Sequence, residues 1–187
     1  MDKEKYNLIE KASNNDKKAL IQLIKQEQNN IYTTLFYLKK DSNEINDIAQ
    51  NVLLKLSKNI TRLKNPTNFK TWLNQIIVNS YYDYLRKNKK NTALNIIKNE
   101  DESMYEVPDY SENPQNKILN SELDFVIKTS IENLPLHYKI PIALREIQGL
   151  SYDEISNVTK TSIGTVKSRI ARARAMIKDK ITRYSKD

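Results

Sequence analysis

The residues best suited to chemistry lie near the C-terminus, between Gly149 and Arg174, in the stretch GLSYDEISNVTKTSIGTVKSRIARAR. In its second half, short hydroxyl side chains come first and long cationic side chains follow. Hydroxyl, ammonium and guanidinium groups donate hydrogen bonds to phosphate oxygens and to the edges of bases. At about 100° per residue, one arc of a helix here would present Thr165, Ser168, Arg169 and Arg172, with Lys167 beside it.

Two short helices joined by a tight turn would position these side chains. Ser151 and Glu154 have the Ser-x-x-Glu spacing of a capping box, which begins one helix. Thr161 or Ser162 offers the N-cap of a second helix. The second helix carries an apolar stripe at spacings of three and four residues, which must pack against the protein: Ile163, Val166, Ile170, Ala173, Ile177 and Ile181.

This pattern is that of a helix-turn-helix, whose second helix can enter the major groove of duplex DNA. The alternative interpretation is an ordinary solvated helix, since surface helices are often rich in lysine and arginine. The turn, the two caps and the lack of acidic residues between Ile163 and Asp179 favour DNA binding over that alternative.

The segment from Leu134 to Ile177 closely resembles the promoter-recognising C-terminal domain of the extracytoplasmic-function (ECF) type sigma factors of bacterial RNA polymerase, in the sigma-70 family. The pieces LP, LRE, GLSYDEI and GTVKSR carry the resemblance. Lys160 stands where that family usually has a turn glycine, so we expect a left-handed lysine, strained by about 1 kcal/mol, and a looser turn. The resemblance implies that the residues facing the upstream promoter element are Ser162, Thr165, Lys167, Ser168, Arg169 and Arg172.

Two prolines and a glycine mark the helix that precedes this motif. Pro135 predicts a helix start, and Gly149 is placed to end that helix with a left-handed residue. Pro141 falls inside the helical pattern and lacks a backbone donor. It therefore predicts a kink or a restart of the helix.

Charge is unevenly distributed along the 187 residues, whose formal net charge is +8. Residues 62–90 carry seven lysines and arginines against one acid, and residues 163–187 carry eight against two. Residues 99–124 carry eight acids against one lysine. Net positive charge favours polyanionic partners. Here two basic blocks flank an acidic bridge.

Composition also excludes several classes of site. The chain has no cysteine, and its single histidine, His137, cannot build a histidine-ligated metal site. Gly149 and Gly164 are too few and too far apart for a glycine-rich phosphate loop. No segment has the apolar length of a signal peptide or a bilayer span. We therefore expect a cytoplasmic protein that is not an enzyme, uses no metal or cofactor and does not insert into membranes.

The first half of the chain predicts further helices. Asp16 is expected to cap one that ends near Lys39, and Asp41 and Glu44 have the spacing of a capping box for the next. The next helix contains DIAQNVLLKL, which resembles the D-x-x-Q-E helix that binds the polymerase clamp helices in the ECF family. A solvated helix face is the alternative interpretation. The resemblance implies polymerase contacts at Asp47, Gln50 and Asn51, the last replacing the usual glutamate.

Residues 61–68 (TRLKNPTN) predict a loop, because Pro66 lacks a backbone donor. The helix after it, FKTWLNQIIVNSYYDYLRK, resembles the family's promoter-melting segment, which grips the non-template strand and holds an extruded base in a pocket. Trp72 and Tyr81 lie in its apolar stripe and are predicted to be core residues. Amide, aromatic and cationic groups suit single-strand capture. The resemblance implies contacts to the downstream promoter element at Lys64, Asn65, Asn68, Lys70, Asn79, Tyr82 and Arg86.

We therefore expect an all-α protein with two small helical domains. Residues 1–92 would bind core polymerase and melt the promoter, 93–115 would form an acidic flexible linker, and 116–187 would carry the helix-turn-helix. The implied function is that of a sigma initiation factor. The implied partners are core RNA polymerase, at its clamp helices and flap, promoter DNA in duplex and single-stranded form, and an anti-sigma factor. The alternative is a helix-turn-helix transcriptional regulator with a helical effector or dimerisation domain.

Overall fold

The computed structural model describes residues 2–39, 42–95 and 122–184. The α-helices in these ranges are α1 (Lys3–Ser13), α2 (Lys17–Leu38), α3 (Ser42–Asn59), α4 (Phe69–Asn95), α5 (Glu122–Glu132), α6 (Leu136–Glu146), α7 (Tyr152–Thr159) and α8 (Ile163–Tyr184). Two 3₁₀ turns, Ile60–Arg62 and Pro66–Asn68, connect α3 to α4. These ranges contain no strand, and the all-α prediction is confirmed.

Helices α1–α4 form the N-terminal bundle. Asp2 and Asp16 begin α1 and α2, since their carboxylates accept the backbone N–H groups of Glu4 at 2.8 Å and Lys18 at 2.9 Å. The facing sides of the four helices are predominantly apolar, and the exclusion of water from them supplies most of their stability. Their fully buried residues include Ile9, Leu23, Ile31, Leu35, Ile45, Leu56, Leu73 and Ile77.

A polar contact also holds α4 within the N-terminal bundle. Tyr81 is 2% exposed, and its hydroxyl donates to the carbonyl oxygen of Leu38 at 2.8 Å. Burial disfavours the phenolate and raises the pKa of Tyr81 to about 12. The prediction that Tyr81 is a core residue is confirmed. Trp72, predicted to be core as well, is half-buried and packs at the margin of the core.

Helices α5–α8 form the C-terminal bundle. Pro135 precedes α6 as its N-cap, as predicted. Gly149 has φ of 62°, and the next residue, Leu150, donates its backbone N–H to the carbonyl of Leu144 at 3.1 Å, which closes the end of α6. The helix continues through Pro141 without a restart, because the loss of one donor leaves its other backbone bonds in place. Of the predicted kink or restart, the restart does not occur.

Both predicted caps of the helix-turn-helix are present. The hydroxyl of Ser151 accepts the N–H of Glu154 at 3.2 Å, and the Glu154 carboxylate accepts the N–H of Ser151 at 2.7 Å. The hydroxyl of Ser162 accepts the N–H of Thr165 at 3.2 Å. Of the two candidate N-caps, the structure therefore selects Ser162 for α8.

Helix α1 was not predicted from the sequence. Its buried residues, Ile9 and Ala12, are three positions apart, which was the available helical signal. Helix α4 continues to Asn95, beyond the predicted end of the first domain at residue 92. Asp41 and most of the predicted linker, 93–115, lie outside the described residues.

Candidate nucleic-acid interface

The apolar stripe of α8 determines which of its side chains face outward. Val166, Ile170 and Ala173 are at most 1% exposed, and they pack α8 against the other helices of the C-terminal bundle. Five of the six residues predicted to face the upstream element lie on the first three turns, and Ser162 is the N-cap. Ser162, Lys167, Ser168 and Arg172 are exposed, and Thr165 and Arg169 are half-buried.

The turn before α8 is held by hydrogen bonds from small polar side chains. Lys160 adopts the left-handed conformation at φ 54°, as expected for a residue in place of a turn glycine. The Ser156 hydroxyl donates to the carbonyl of Thr161 at 2.6 Å, and the hydroxyls of Thr159 and Thr161 lie 2.9 Å apart. These bonds link the end of α7 to Thr161, just before α8, across the left-handed lysine. The expectation of a turn looser than the family's stays a prediction.

The cations of α8 differ in whether another side chain of the protein holds them. The Arg174 guanidinium donates to the Glu146 carboxylate of α6 at 3.0 and 2.6 Å, which raises the pKa of Arg174. Arg172 is exposed and forms no ion pair with any other described residue. The Lys167 ammonium lies 5.8 Å from the centre of the Tyr152 ring, a cation–π contact. Arg172 is thus available to a ligand, whereas Arg174 ties two helices together.

The side chains predicted to contact the downstream element do not form a single site. Asn79 and Arg86 line a cleft between α3 and α4. The half-buried Trp72 also lines this cleft, as do four polar residues that the sequence analysis did not select, Lys55, Asn59, Arg62 and Asp83. They escaped prediction because three of them come from α3 and the turn after it. A base could stack on Trp72 here while amides and cations contact its edge and phosphate.

One carboxylate pairs with two cations in this cleft. Asp83 accepts from the Lys55 ammonium at 2.9 Å and from the Arg86 guanidinium at 2.5 Å. The bond from Lys55 is the main cause that lowers the pKa of Asp83, and Arg86 adds to it, while partial burial opposes both. Lys55 also donates to the Ser80 hydroxyl at 3.1 Å. This cleft therefore offers an acceptor as well as donors.

The remaining predicted downstream contacts lie elsewhere. Lys64 and Asn65 line a second cleft on the α1 side of the 3₁₀ turns, with Tyr6 and Glu10. Within the turn, the Asn65 amide oxygen accepts from the backbone and hydroxyl of Thr67 at 2.9 and 2.7 Å. Asn68 is exposed at the end of that turn. Two other members of the set, Lys70 and Tyr82, lie on α4 towards the C-terminal bundle.

The residues predicted to contact polymerase share one exposed face of α3. Asp47, Gln50 and Asn51 are all exposed, and Leu54, one turn further along, is 58% exposed. The opposite face of α3 is buried in the N-terminal bundle. Leu54 thus adds one apolar side chain to the exposed face that these three polar residues form. Leu54 was not among the predicted contacts, which were all polar residues.

No group of three or more histidine, cysteine, aspartate or glutamate side chains arranged for a metal ion occurs among the described residues. A search of the same residues finds no helix with the length and apolarity required to cross a bilayer.

Comparison with known proteins finds a family match in each of the two bundles. Residues 23–91 match the family Sigma-70 region 2, and residues 125–177 match Sigma-70, region 4. The chain is 36% identical to the ECF RNA polymerase sigma-E factor of Haemophilus influenzae over 178 residues, which cover 93% of each protein. It belongs to the ECF sigma factors. Its function is that of a sigma initiation factor in transcription.

Other relatives of this ECF sigma factor agree with that assignment. It is 32% identical to the ECF RNA polymerase sigma-E factor of Escherichia coli K12 over 93% of this chain and 92% of the relative. It is 29% identical to the RNA polymerase sigma-H factor of Pseudomonas aeruginosa over 91% of this chain and 90% of the relative. The match to region 2 covers the N-terminal helices, to which the alternative hypothesis assigned an effector or dimerisation role, and it counts against that alternative.

Two solved structures share the fold of this sigma factor. The sigma factor RpoE of Bartonella quintana, in complex with the anti-sigma factor NepR, aligns with a TM-score of 0.69 and 22% identity over 86% of this chain and 95% of that one. CnrH, in complex with the cytosolic domain of CnrY, aligns with a TM-score of 0.66 and 17% identity over 95% of this chain and 96% of that one.

Proposed function

We propose that this sigma factor binds core polymerase through α3, reads the upstream promoter element with the first turns of α8, and captures the single-stranded downstream element along α4. The orientation of α8 is the observation that carries the proposal. Its buried stripe leaves a row of hydroxyl groups followed by an unpaired guanidinium facing outward. This arrangement suits entry of the helix N-terminus into a major groove.

Within the upstream site, two chemical roles are assigned. The hydroxyls of Ser162 and Thr165 lie 2.8 Å apart at the N-terminus of α8, where backbone N–H groups and the helix dipole favour a phosphate. Arg172 is long enough to reach a base edge from two turns further along, and guanidinium to guanine is the commonest specific contact in the major groove. Ser162 thus positions the helix, and Arg172 reads sequence.

Within the downstream site, the α3–α4 cleft receives one extruded base, and cations on its margin hold the adjacent phosphates. Trp72 supplies the apolar wall, and Asn79 supplies an amide that can pair with a base edge. The second cleft, beside Lys64 and Asn65, continues the path of the strand past the 3₁₀ turns.

The remaining assignments concern the partners and the context. Asp47, Gln50, Asn51 and Leu54 form the surface that binds the polymerase clamp helices. Residues 1–92 and 116–187 act as separate binding units joined by the acidic linker 93–115. The protein has no catalytic activity of its own, acts in the cytoplasm and is held inactive by an anti-sigma factor. In support of such a partner, the structural relative RpoE is in complex with the anti-sigma factor NepR, and CnrH is in complex with the cytosolic domain of CnrY.

The experiment that tests the proposal uses purified core polymerase, with this protein as the only added factor, on promoter templates from its own genome. We expect transcripts that begin at defined positions. A regulator of the helix-turn-helix type would work only when another sigma factor is also supplied, and that result would overturn the proposal. Leu54→Ala should lower the affinity for core, and Ile21→Ala, at 56% exposure on α2, is the matched control.

A further inference from the structure

Helix α1 lines the second cleft together with the 3₁₀ turns that follow α3. The cleft has a volume of about 530 Å³, which lies within the range of pockets that hold small ligands. Helix α1 packs against both turns and supplies Tyr6 and Glu10 to the lining, and the turns supply Lys64 and Asn65. The side chains of α1 therefore face the same space as two of the predicted contacts to the downstream element.

The position of α1 is fixed by apolar packing and by a charge pair. Ile9 and Ala12 are at most 1% exposed and belong to the core. The Lys5 ammonium lies 2.6 Å from the Glu27 carboxylate of α2, whose side chain is 3% exposed. The Asn30 amide donates to the same carboxylate at 3.0 Å. Because loss of Lys5 would leave the Glu27 charge buried without compensation, the pair favours one position of α1 beside the turns.

The two charged side chains of the second cleft, Glu10 and Lys64, are both exposed, and neither forms an ion pair with any other described residue. In the α3–α4 cleft, in contrast, Asp83 is paired with Lys55 and Arg86. A carboxylate that no cation holds keeps its full capacity to accept hydrogen bonds from a ligand. The second cleft thus offers a ligand both an acceptor and a cation.

The Asn65 amide adds a donor to this cleft. Its oxygen accepts from the backbone N–H and the hydroxyl of Thr67 at 2.9 and 2.7 Å, which fixes the orientation of the side chain. Its NH₂ group is then the part that remains for a ligand. A carboxylate and an amide NH₂ together match a base that carries an amino group next to a ring nitrogen acceptor. Cytosine and adenine have this pair of groups, whereas thymine and uracil carry a carbonyl oxygen in place of the amino group.

Tyr6 supplies an aromatic ring to the cleft. It is half-buried and lies four residues before Glu10, so the two side chains share one face of α1. Stacking on an aromatic ring strengthens single-strand binding without selecting among bases, since every base has a π-face. Tyr6 would therefore contribute affinity, and Glu10 would contribute selectivity.

We propose that α1 takes part in reading the single-stranded downstream element, with Tyr6 stacking on one base and Glu10 selecting cytosine or adenine at that position. The Asn65 amide donates to the ring nitrogen of the same base, and the Lys64 ammonium holds the adjacent phosphate. The presence of the promoter strand in this cleft rests on the proposed function. The preference for an amino group does not, because it follows from the polar groups that line the cleft.

Two labelled single strands of about eight nucleotides, one of deoxycytidine and one of deoxyuridine, isolate this contact. Uracil has a carbonyl oxygen where cytosine has its amino group, and neither base carries a methyl group. Fluorescence anisotropy on the full-length protein at one salt concentration gives the ratio of the two dissociation constants. Glu10→Gln is the test variant, because an amide can donate to uracil as well as accept from cytosine. Glu4→Gln changes an exposed carboxylate on the same helix outside the cleft and is the matched control.

We expect the unsubstituted protein to bind the deoxycytidine strand more tightly than the deoxyuridine strand by roughly five- to tenfold. Glu10→Gln should bring that ratio to about one, and Glu4→Gln should leave it unchanged. Both variants should bind the two strands slightly more tightly, because each loses one negative charge. Tyr6→Ala should weaken binding of both strands by roughly fivefold or more without changing their ratio, and Tyr6→Phe should keep the original affinity.

The proposal is overturned if the unsubstituted protein binds neither strand or binds the two equally. It is also overturned if Glu10→Gln leaves the ratio unchanged, or if Glu4→Gln lowers the ratio as much as Glu10→Gln does. Equal affinities of Tyr6→Ala and Tyr6→Phe would refute the stacking role of Tyr6. A protein that shows the base preference but starts no transcripts with core polymerase would refute the proposed function and leave the base preference standing.

Discussion

Helices α8 and α4 are both assigned to DNA, yet they are held in the protein in different ways. The buried side of α8 is wholly apolar at Val166, Ile170 and Ala173. The buried side of α4 includes the polar residues Asn74, Ser80 and Tyr81. Their outward cations differ as well, since Arg172 is unpaired among the described residues and Arg86 is paired with Asp83. Under the proposed function, α8 offers an unpaired cation to the duplex, whereas a single strand bound along α4 must replace internal ion pairs of the protein.

The largest effect on stability is expected from the apolar residues that pack α8 against the C-terminal bundle. Ile170→Ala should lower the free energy of unfolding of the C-terminal bundle by about 2–5 kcal/mol, because it leaves a cavity in a fully buried site. Met176→Ala on the same helix, at 38% exposure, should cost less than about 1 kcal/mol. Urea unfolding followed by circular dichroism measures both. Equal losses for the two variants would show that α8 is not held by its stripe.

The next largest effect should come from Arg172, and it should appear in the affinity for duplex DNA. Arg172→Ala should weaken binding to the upstream duplex by about 1–3 kcal/mol and relax specificity at one base pair. Fluorescence anisotropy on a series of duplexes substituted at each position tests this.

Arg183→Ala, which removes one cation from the far end of the same helix, is the control for the Arg172 measurement. A uniform loss on all duplexes, with a smaller salt dependence, would reassign Arg172 to a phosphate. No loss at all would remove α8 from the upstream site.

The hydrogen bond that holds α4 should contribute less to the free energy of unfolding than the apolar packing that holds α8. Tyr81→Phe removes the hydrogen bond to Leu38 and should cost about 0.5–1.5 kcal/mol. The pKa of Tyr81 is raised to about 12 in the folded protein. Its contribution to stability is therefore complete below pH 10 and falls as the pH rises from about 10 to 12. Across this pH range, the free energy of unfolding should decline less steeply in Tyr81→Phe than in the unsubstituted protein. Equal slopes in the two proteins would show that the Tyr81 hydroxyl does not cause the decline.

The smallest effects should come from the ion pairs of the α3–α4 cleft, and they should differ in sign. Arg86→Ala removes a cation and should weaken single-strand binding slightly, whereas Asp83→Asn releases Lys55 and Arg86 and should strengthen it. Binding of a labelled single strand at several salt concentrations measures both. If both changes weaken binding, Asp83 itself accepts a hydrogen bond from a base.

Much of this fold could be predicted because its signals are local. Asp16, Ser151 and Ser162 mark helix starts through their own backbone bonds, and the stripe of α8 repeats with the helical period. The residue types of α3 also predicted its exposed face, since Asp47 and Gln50 are both exposed.

The features that escaped prediction depend on contacts between distant segments. Lys55 joins the cleft because α3 crosses α4 and brings it to Asp83, 28 positions away. Thr34 and Gln148 are 114 positions apart and meet only because the two bundles pack together. No periodicity within either segment contains that information.

The most direct test of the central claim, that two bundles read two elements of one promoter, is run-off transcription with core polymerase and this protein over a fragmented genome. The account predicts start sites whose upstream sequences share two separate conserved blocks, with Arg172→Ala altering only the block farther from the start. Transcripts that share a single block, or none without a second sigma factor, would contradict it.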